Sequence, residues 1–312
     1  MTMEPEAEHQ DPLSPPDGSV HHPSLWQRMP APIFALVSLT IVFILYQLVA
    51  GGAVLLLAGT KVTEENAAFI RWATVVSQLT CILLPSLVLG RLRFGTLGAA
   101  FTFKFPGARQ TILSVLAVFA LQQLLQAYMV LQDAMPLPPK VRELIDLVNT
   151  LYEQTYRILG AARSPYEFLL VVVTVALIPA IAEEILFRGL IQHSVEATSG
   201  GLRAAIATGL IFGAYHLNPW NIVPLVALGT FFGYLVYRSQ NVSIAISAHF
   251  FNNFVACAAS YTNVRDDFIA LAPSTQATGP LLLANTALFL LVFVGATYYF
   301  VKVTDEAVHA DT

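Results

Sequence analysis

The chain has 312 residues, 56% of them hydrophobic and only 12% charged, with a formal net charge of −4 and a mean hydropathy of +0.64. Soluble domains carry about 25% charged residues, so this composition excludes a water-soluble globular protein and describes an integral membrane protein. The bilayer is therefore the first expected partner, and no nucleic-acid partner is expected.

Residues 1–30 hold Pro5, Pro12, Pro15, Pro16, Pro23 and Pro30 among Glu, Asp and His. Such a segment cannot bury enough apolar surface to fold, and a disordered tail is expected. It lacks the cationic start and small-residue cleavage site of a signal peptide, so the first span is expected to stay in the membrane. Apolar spans long enough to cross a bilayer then fall at roughly 32–58, 68–90, 110–132, 167–191, 203–217, 222–237, 241–260 and 280–301. The expected fold is an all-α polytopic membrane domain over residues 31–303, with about eight transmembrane helices, two of them short, and a polar catalytic cavity inside the bundle. Residues 304–312 form a C-terminal tail. Cys81 and Cys257 fall inside spans without CxxC spacing and read as small apolar packers.

The Lys and Arg bias sets the orientation. With the N-terminus in the cytoplasm, Arg28, Arg91, Arg93, Lys104, Arg109, Arg203, Arg238 and Lys302 lie on the cytoplasmic side. Lys61, Arg71, Lys140, Arg142, Arg157, Arg163 and Arg265 lie opposite, four of them in one long loop, where the rule is weaker. A multi-pass protein of a bacterial inner or plasma membrane, with both termini cytoplasmic, is the expected arrangement. The long loop, 133–165, opens on Pro136, Pro138 and Pro139. It then places Val141, Leu144, Ile145, Val148, Leu151 and Tyr152 at helical spacing, which predicts an amphipathic helix on the membrane surface, serving as a lid or as a packed connector.

Charge inside the spans is rare, and its position is informative. Glu183, Glu184 and Arg188 sit near the end of the fourth span, while His216 and His249 sit in or at the ends of later ones. Hydrocarbon offers no hydrogen bonds, so these five groups must find partners, and they find one another most economically. Glu184 and Arg188 are i and i+4 on one helix and can pair. Glu183 points about 100° away and is left as the better candidate base.

Ser199-Gly200-Gly201 is a turn signal, with Glu183 17 residues before Gly200 and His216 16 after it. Both come to roughly 25 Å from the turn at the helical rise. His249 and Asn253, four apart on one face, lie roughly 14 and 20 Å from the next turn at Gln240. A carboxylate facing an imidazole can polarise a water, and a second imidazole with a carboxamide can donate to an oxyanion. Glu183, His216 and His249 can equally be drawn as three zinc ligands with an open fourth position.

In that order and on separate apolar helices, Glu183-Glu184-x-x-x-Arg188, Phe212-x-x-x-His216 and His249-x-x-x-Asn253 resemble the three motifs of the CAAX protease and bacteriocin-processing (CPBP) family of intramembrane endopeptidases. Phe187-Arg188-Gly189-Leu190 and His216-Leu217-Asn218-Pro219 are also similar to family sequence. The resemblance covers about residues 166–260, and the earlier spans agree only as a count of eight. It implies that Glu183 and His216 activate the attacking water, that His249 and Asn253 bind the oxyanion, and that Glu184 and Arg188 support them. It also implies a membrane-associated or lipidated peptide or protein as substrate, and leaves zinc, another divalent metal or no metal all open. HExxH and GxSxG are absent, which argues against zincins and serine hydrolases. Two other classes use the same residues: a proton-coupled membrane transporter with a Glu/His relay, and a non-catalytic immunity or binding membrane protein.

Overall fold

A computed structural model describes residues 23–262 and 279–310. Residues 1–22 of the expected tail, Arg265 of the charge count and the last two residues of the C-terminal tail lie outside the described residues. The end of the expected tail is built onto the bundle. Ser24 and Gln27 close a capping box on the short helix α1, Leu25–Arg28. Arg93 then donates to the carbonyls of Trp26 at 2.8 Å and Met29 at 2.5 Å.

The spans follow as α2 (Ala31–Ala58), α3 (Glu64–Phe94), α5 (Ala108–Asp133), α7 (Pro165–Ser199), α9 (Ile222–Ser239), α10 (Val242–Tyr261) and α11 (Gly279–Ala310), with a short apolar helix α8 (Gly201–Tyr215) between α7 and α9. Among the described residues, seven helices are long and apolar enough to cross a membrane, and α8 completes the expected set of eight. Between α3 and α5 lies the turn α4 (Leu97–Ala100), followed by an extended segment. Asn241 clips that segment to the α9–α10 turn by bonding both the N–H and the C=O of Lys104. α11 runs on past residue 303 to Ala310, into the expected C-terminal tail.

α8 and α9 approach closely because each carries a Gly-x-x-x-Gly pair, Gly209/Gly213 and Gly229/Gly233. A Cβ on Gly209 would stand 2.5 Å from the Thr230 backbone nitrogen, and one on Gly229 would stand 2.9 Å from the Phe212 ring. This pair presses Phe212 and Phe232 against α7, which carries the buried charges.

The 133–165 segment contains α6, Pro139–Gly160. Val141, Leu144 and Leu147 of its first half are exposed, while Tyr152, Thr155 and Leu159 of its second half line the central cavity. Both ends are anchored. Arg142 bonds the Asp133 and Met135 carbonyls and lies 5.7 Å over the Trp220 ring in the α8–α9 turn. Arg71, counted among the cations opposite the cytoplasmic side, is buried within α3 and caps α6, donating to the carbonyls of Ile158, Leu159 and Ala161. A guanidinium suits this work because its planar fork satisfies several orphan C-terminal carbonyls at once.

Arg71→Ala is expected to release the end of α6. Losing the hydrogen bonds of a charged donor costs about 1–3 kcal/mol, so hydrogen exchange of the amides at 155–161 should speed up by about tenfold or more, with the core of α7 unchanged. Unchanged exchange would show that other contacts hold α6.

Candidate active site

α7 departs from regular geometry on both sides of its charges. π-helical turns occupy Val172–Leu177 and Ile185–Gln192, with an α-helical stretch, Ile178–Glu184, between them. Such widened turns are frequent at functional sites, and α2 and α3 carry them at Ile44–Ala50 and Leu79–Leu83. The wider turn brings Glu184, Arg188 and Gln192 onto the α9 side in sequence. Arg188 Nη1 donates to Glu184 Oε1 at 2.8 Å, Arg188 Nη2 to the Gly229 carbonyl at 2.7 Å, and Gln192 Nε2 to the Gly233 carbonyl at 2.9 Å. Glu184 and Arg188 are fully buried.

Glu184 does more than offset Arg188. The same Oε1 also takes Nδ1 of His249 at 2.8 Å, so one buried carboxylate oxygen holds both a guanidinium and an imidazole. Phe232 stacks on the His249 ring at 5.0 Å and 14°, and the Arg188 guanidinium lies 4.8 Å over Phe212 and 5.4 Å over Phe232. These aromatic faces provide the charge with a favourable apolar wall. The pairing of Glu184 with Arg188 that the i, i+4 spacing predicts is thus widened: Glu184 is also the support beneath His249.

His216 is placed by the end of α8 rather than by its interior. It is the C-terminal cap, followed by Leu217 with a left-handed φ of 53°. Its Nδ1 lies 2.7 Å from the Phe212 carbonyl. A carbonyl only accepts, so Nδ1 carries the hydrogen and Nε2 is the nitrogen left for a water or substrate.

Glu183, His216, His249 and Asn253 all line one cavity of about 760 Å³. That lies within the usual span for ligand sites of about 300–1,000 Å³. Glu183 is half-buried, and among the described residues no group hydrogen-bonds its carboxylate. The depths counted from the turns, roughly 25 Å against roughly 14 and 20 Å, do not keep these four residues from lining the same cavity.

Asn253 is oriented by a device that residue spacing does not reveal. Its Nδ2 donates to the Val175 carbonyl at 3.2 Å, and its Oδ1 accepts from Asn252. Val175 is four residues before Pro179, which has no N–H to return to that carbonyl. The proline four residues ahead of Glu183 is the signal that could have found it. Pro179→Ala would supply the missing donor and compete with Asn253. Its expected effect is a several-fold lower turnover with an unchanged or raised melting temperature, read by a cleavage assay beside a thermal melt; equal turnover would remove the proline from the site.

Among the described residues no three His, Cys, Asp or Glu side chains gather as a metal-holding group. One ring nitrogen of His216 is engaged by a carbonyl and one of His249 by Glu184, the arrangement that orients the other nitrogen of each ring for a water, a substrate or a metal.

The family model of Rce1-like type II CAAX prenyl endopeptidases matches residues 165–255. The match supports the CPBP/CAAX protease family for this segment. It runs from the first turn of α7 into α10 and so contains Glu183, Glu184, Arg188, His216, His249 and Asn253, while α2, α3 and α6, which complete the cavity wall, lie outside it. No curated protein and no solved structure matches the chain. The CPBP/CAAX segment and the seven apolar helices make the protein a multi-pass membrane protein of peptidase type.

Proposed function

We propose that the protein is an intramembrane endopeptidase that cleaves a membrane-associated or lipidated peptide by direct activation of water. The observation that carries this reading is the convergence of Glu183, His216, His249 and Asn253 on one cavity walled by apolar helices. A water between Glu183 and Nε2 of His216 attacks the scissile carbonyl carbon and gives its proton to the Glu183 carboxylate. The resulting oxyanion receives hydrogen bonds from Nε2–H of His249 and from the second N–H of Asn253. Glu183 then returns the proton to the leaving amine as the C–N bond breaks.

Consecutive spans alternate in direction, and α6 meets both the start of α3 and the α8–α9 turn. The cavity wall built by α6 is therefore on the face opposite both termini. The deciding experiment is cleavage of a membrane-embedded and a prenylated reporter peptide by purified protein in liposomes. A parent protein that cleaves neither, yet takes up solute under a pH gradient, would replace this reading with transport. Activity abolished by a chelator and restored by zinc would replace the water-activation scheme.

A further inference from the structure

His216 must hold its Nε2 in the cavity, yet the turn that carries it is weakly built from within. The ring takes the Phe212 carbonyl through Nδ1, the carbonyl that a regular α-turn offers to the His216 N–H. That N–H reaches instead to Gly213 at 3.4 Å, the Leu217 N–H to Ala214 at 3.2 Å, and Leu217 itself is left-handed. Closures over three residues have poorer hydrogen-bond geometry than α-turns, so the last turn of α8 needs support from outside α8.

Tyr215 supplies it. Its ring lies edge-on to Phe43 of α2 at 5.6 Å and to Phe187 of α7 at 5.5 Å, both within the range of favourable aromatic pairs. Its hydroxyl donates to the Leu39 carbonyl of α2 at 3.2 Å. Phe187 follows Glu183 by four residues on α7, about one turn. The ring contact thus joins the turn that bears His216 to the turn that bears Glu183, and the hydroxyl ties both to α2.

We propose that Tyr215 is a positioning residue, whose clamp on α2 and α7 sets His216 against Glu183 so that one water meets both. This rests on the peptidase reading of the same cavity. The Tyr215 hydroxyl is spent on the Leu39 carbonyl, so its part is to hold rather than to move a proton. Such a part is large in rate, because a reacting group displaced by about 1 Å can cost about 10²-fold. The anchor is on α2, outside the family match, so the clamp ties the matched segment to a helix that the match does not reach.

The test is Tyr215→Phe in the purified full chain in liposomes, because phenylalanine keeps both ring contacts and removes only the hydroxyl. kcat for a cleaved reporter peptide should fall about tenfold, within the range for a displaced catalytic group, with KM unchanged and the melting temperature close to that of the parent. Hydrogen exchange of the amides at 214–217 should speed up about fivefold, the loss of one hydrogen bond, with those at 203–208 unchanged. Tyr215→Leu, which also gives up the ring contacts, should lower kcat further. An unchanged kcat in Tyr215→Phe overturns the proposal. So does a raised KM at the parent kcat, which would make Tyr215 a substrate contact. A collapsed melting temperature overturns it as well, by showing that the hydroxyl holds the whole bundle rather than one turn. If the parent protein cleaves no peptide, the peptidase reading fails first. Exchange then still reads the clamp: faster exchange confined to 214–217 sustains it, and parent rates there sink it.

Discussion

Glu183→Gln is expected to lower kcat for peptide cleavage by about 10²–10⁴, the usual contribution of a positioned general base, while leaving the melting temperature close to that of the parent protein. The two halves of this expectation have different origins. Glutamine keeps the shape and the acceptor oxygen but cannot take the proton of the attacking water, so the chemical step fails. The stability half follows from the setting: Glu183 is half-buried, and among the described residues nothing hydrogen-bonds its carboxylate, so no buried partner is stranded by the change. His216→Ala should lower kcat similarly, and the double variant should be little worse than either single one, since residues that act as a unit on one water are non-additive. Additive losses would place the two in separate steps. Full activity in Glu183→Gln, measured with purified protein in liposomes, would end the water-activation scheme.

The catalytic candidates are legible because the membrane makes polar groups conspicuous. A carboxylate or imidazole in an apolar span must have a reason to be there, and Glu183, His216 and His249 stand out on that ground before any geometry, with Asn253 marked by its place four residues after His249. α6 is legible through its spacing, and the Glu184–Arg188 pair through the i, i+4 rule. What escapes are relations across the chain. The bond between His249 and Glu184 joins residues 65 apart, and no local period encodes it. Arg71 counts in the sequence only as a cation of the non-cytoplasmic side and is the cap of α6, because only the folded bundle brings the Ile158, Leu159 and Ala161 carbonyls to it. The two Gly-x-x-x-Gly pairs of α8 and α9 and the proline before Glu183 are present as signals, but their meaning lies in what approaches them: Thr230 and Phe212 at the glycines, and Asn253 at the carbonyl that Pro179 leaves free.

Substitution of Arg188 by Met should be the most damaging change for stability. Met retains much of the volume but removes the guanidinium that meets Glu184 Oε1 and the Gly229 carbonyl. Glu184 is then a fully buried carboxylate with His249 as its remaining partner. Breaking a buried ion pair from one side costs about 3–5 kcal/mol, because the stranded charge keeps its desolvation cost and loses its compensation. The same change should reach activity through position: among the described residues His249 is then the remaining hydrogen-bond partner of Glu184, and its Nε2 shifts from the place where the oxyanion forms. Glu184→Gln strands the opposite charge and should be comparably destabilising. The decisive measurement is the double variant, Glu184→Gln with Arg188→Met, melted in the same detergent beside both single variants. Removing both charges leaves neither stranded, so its loss should be clearly smaller than the sum of the two, with turnover still low because His249 has lost its anchor. Losses that add would mean that Glu184 and Arg188 stabilise the bundle separately, and that the shared carboxylate oxygen is not what holds α7 against α9 and α10.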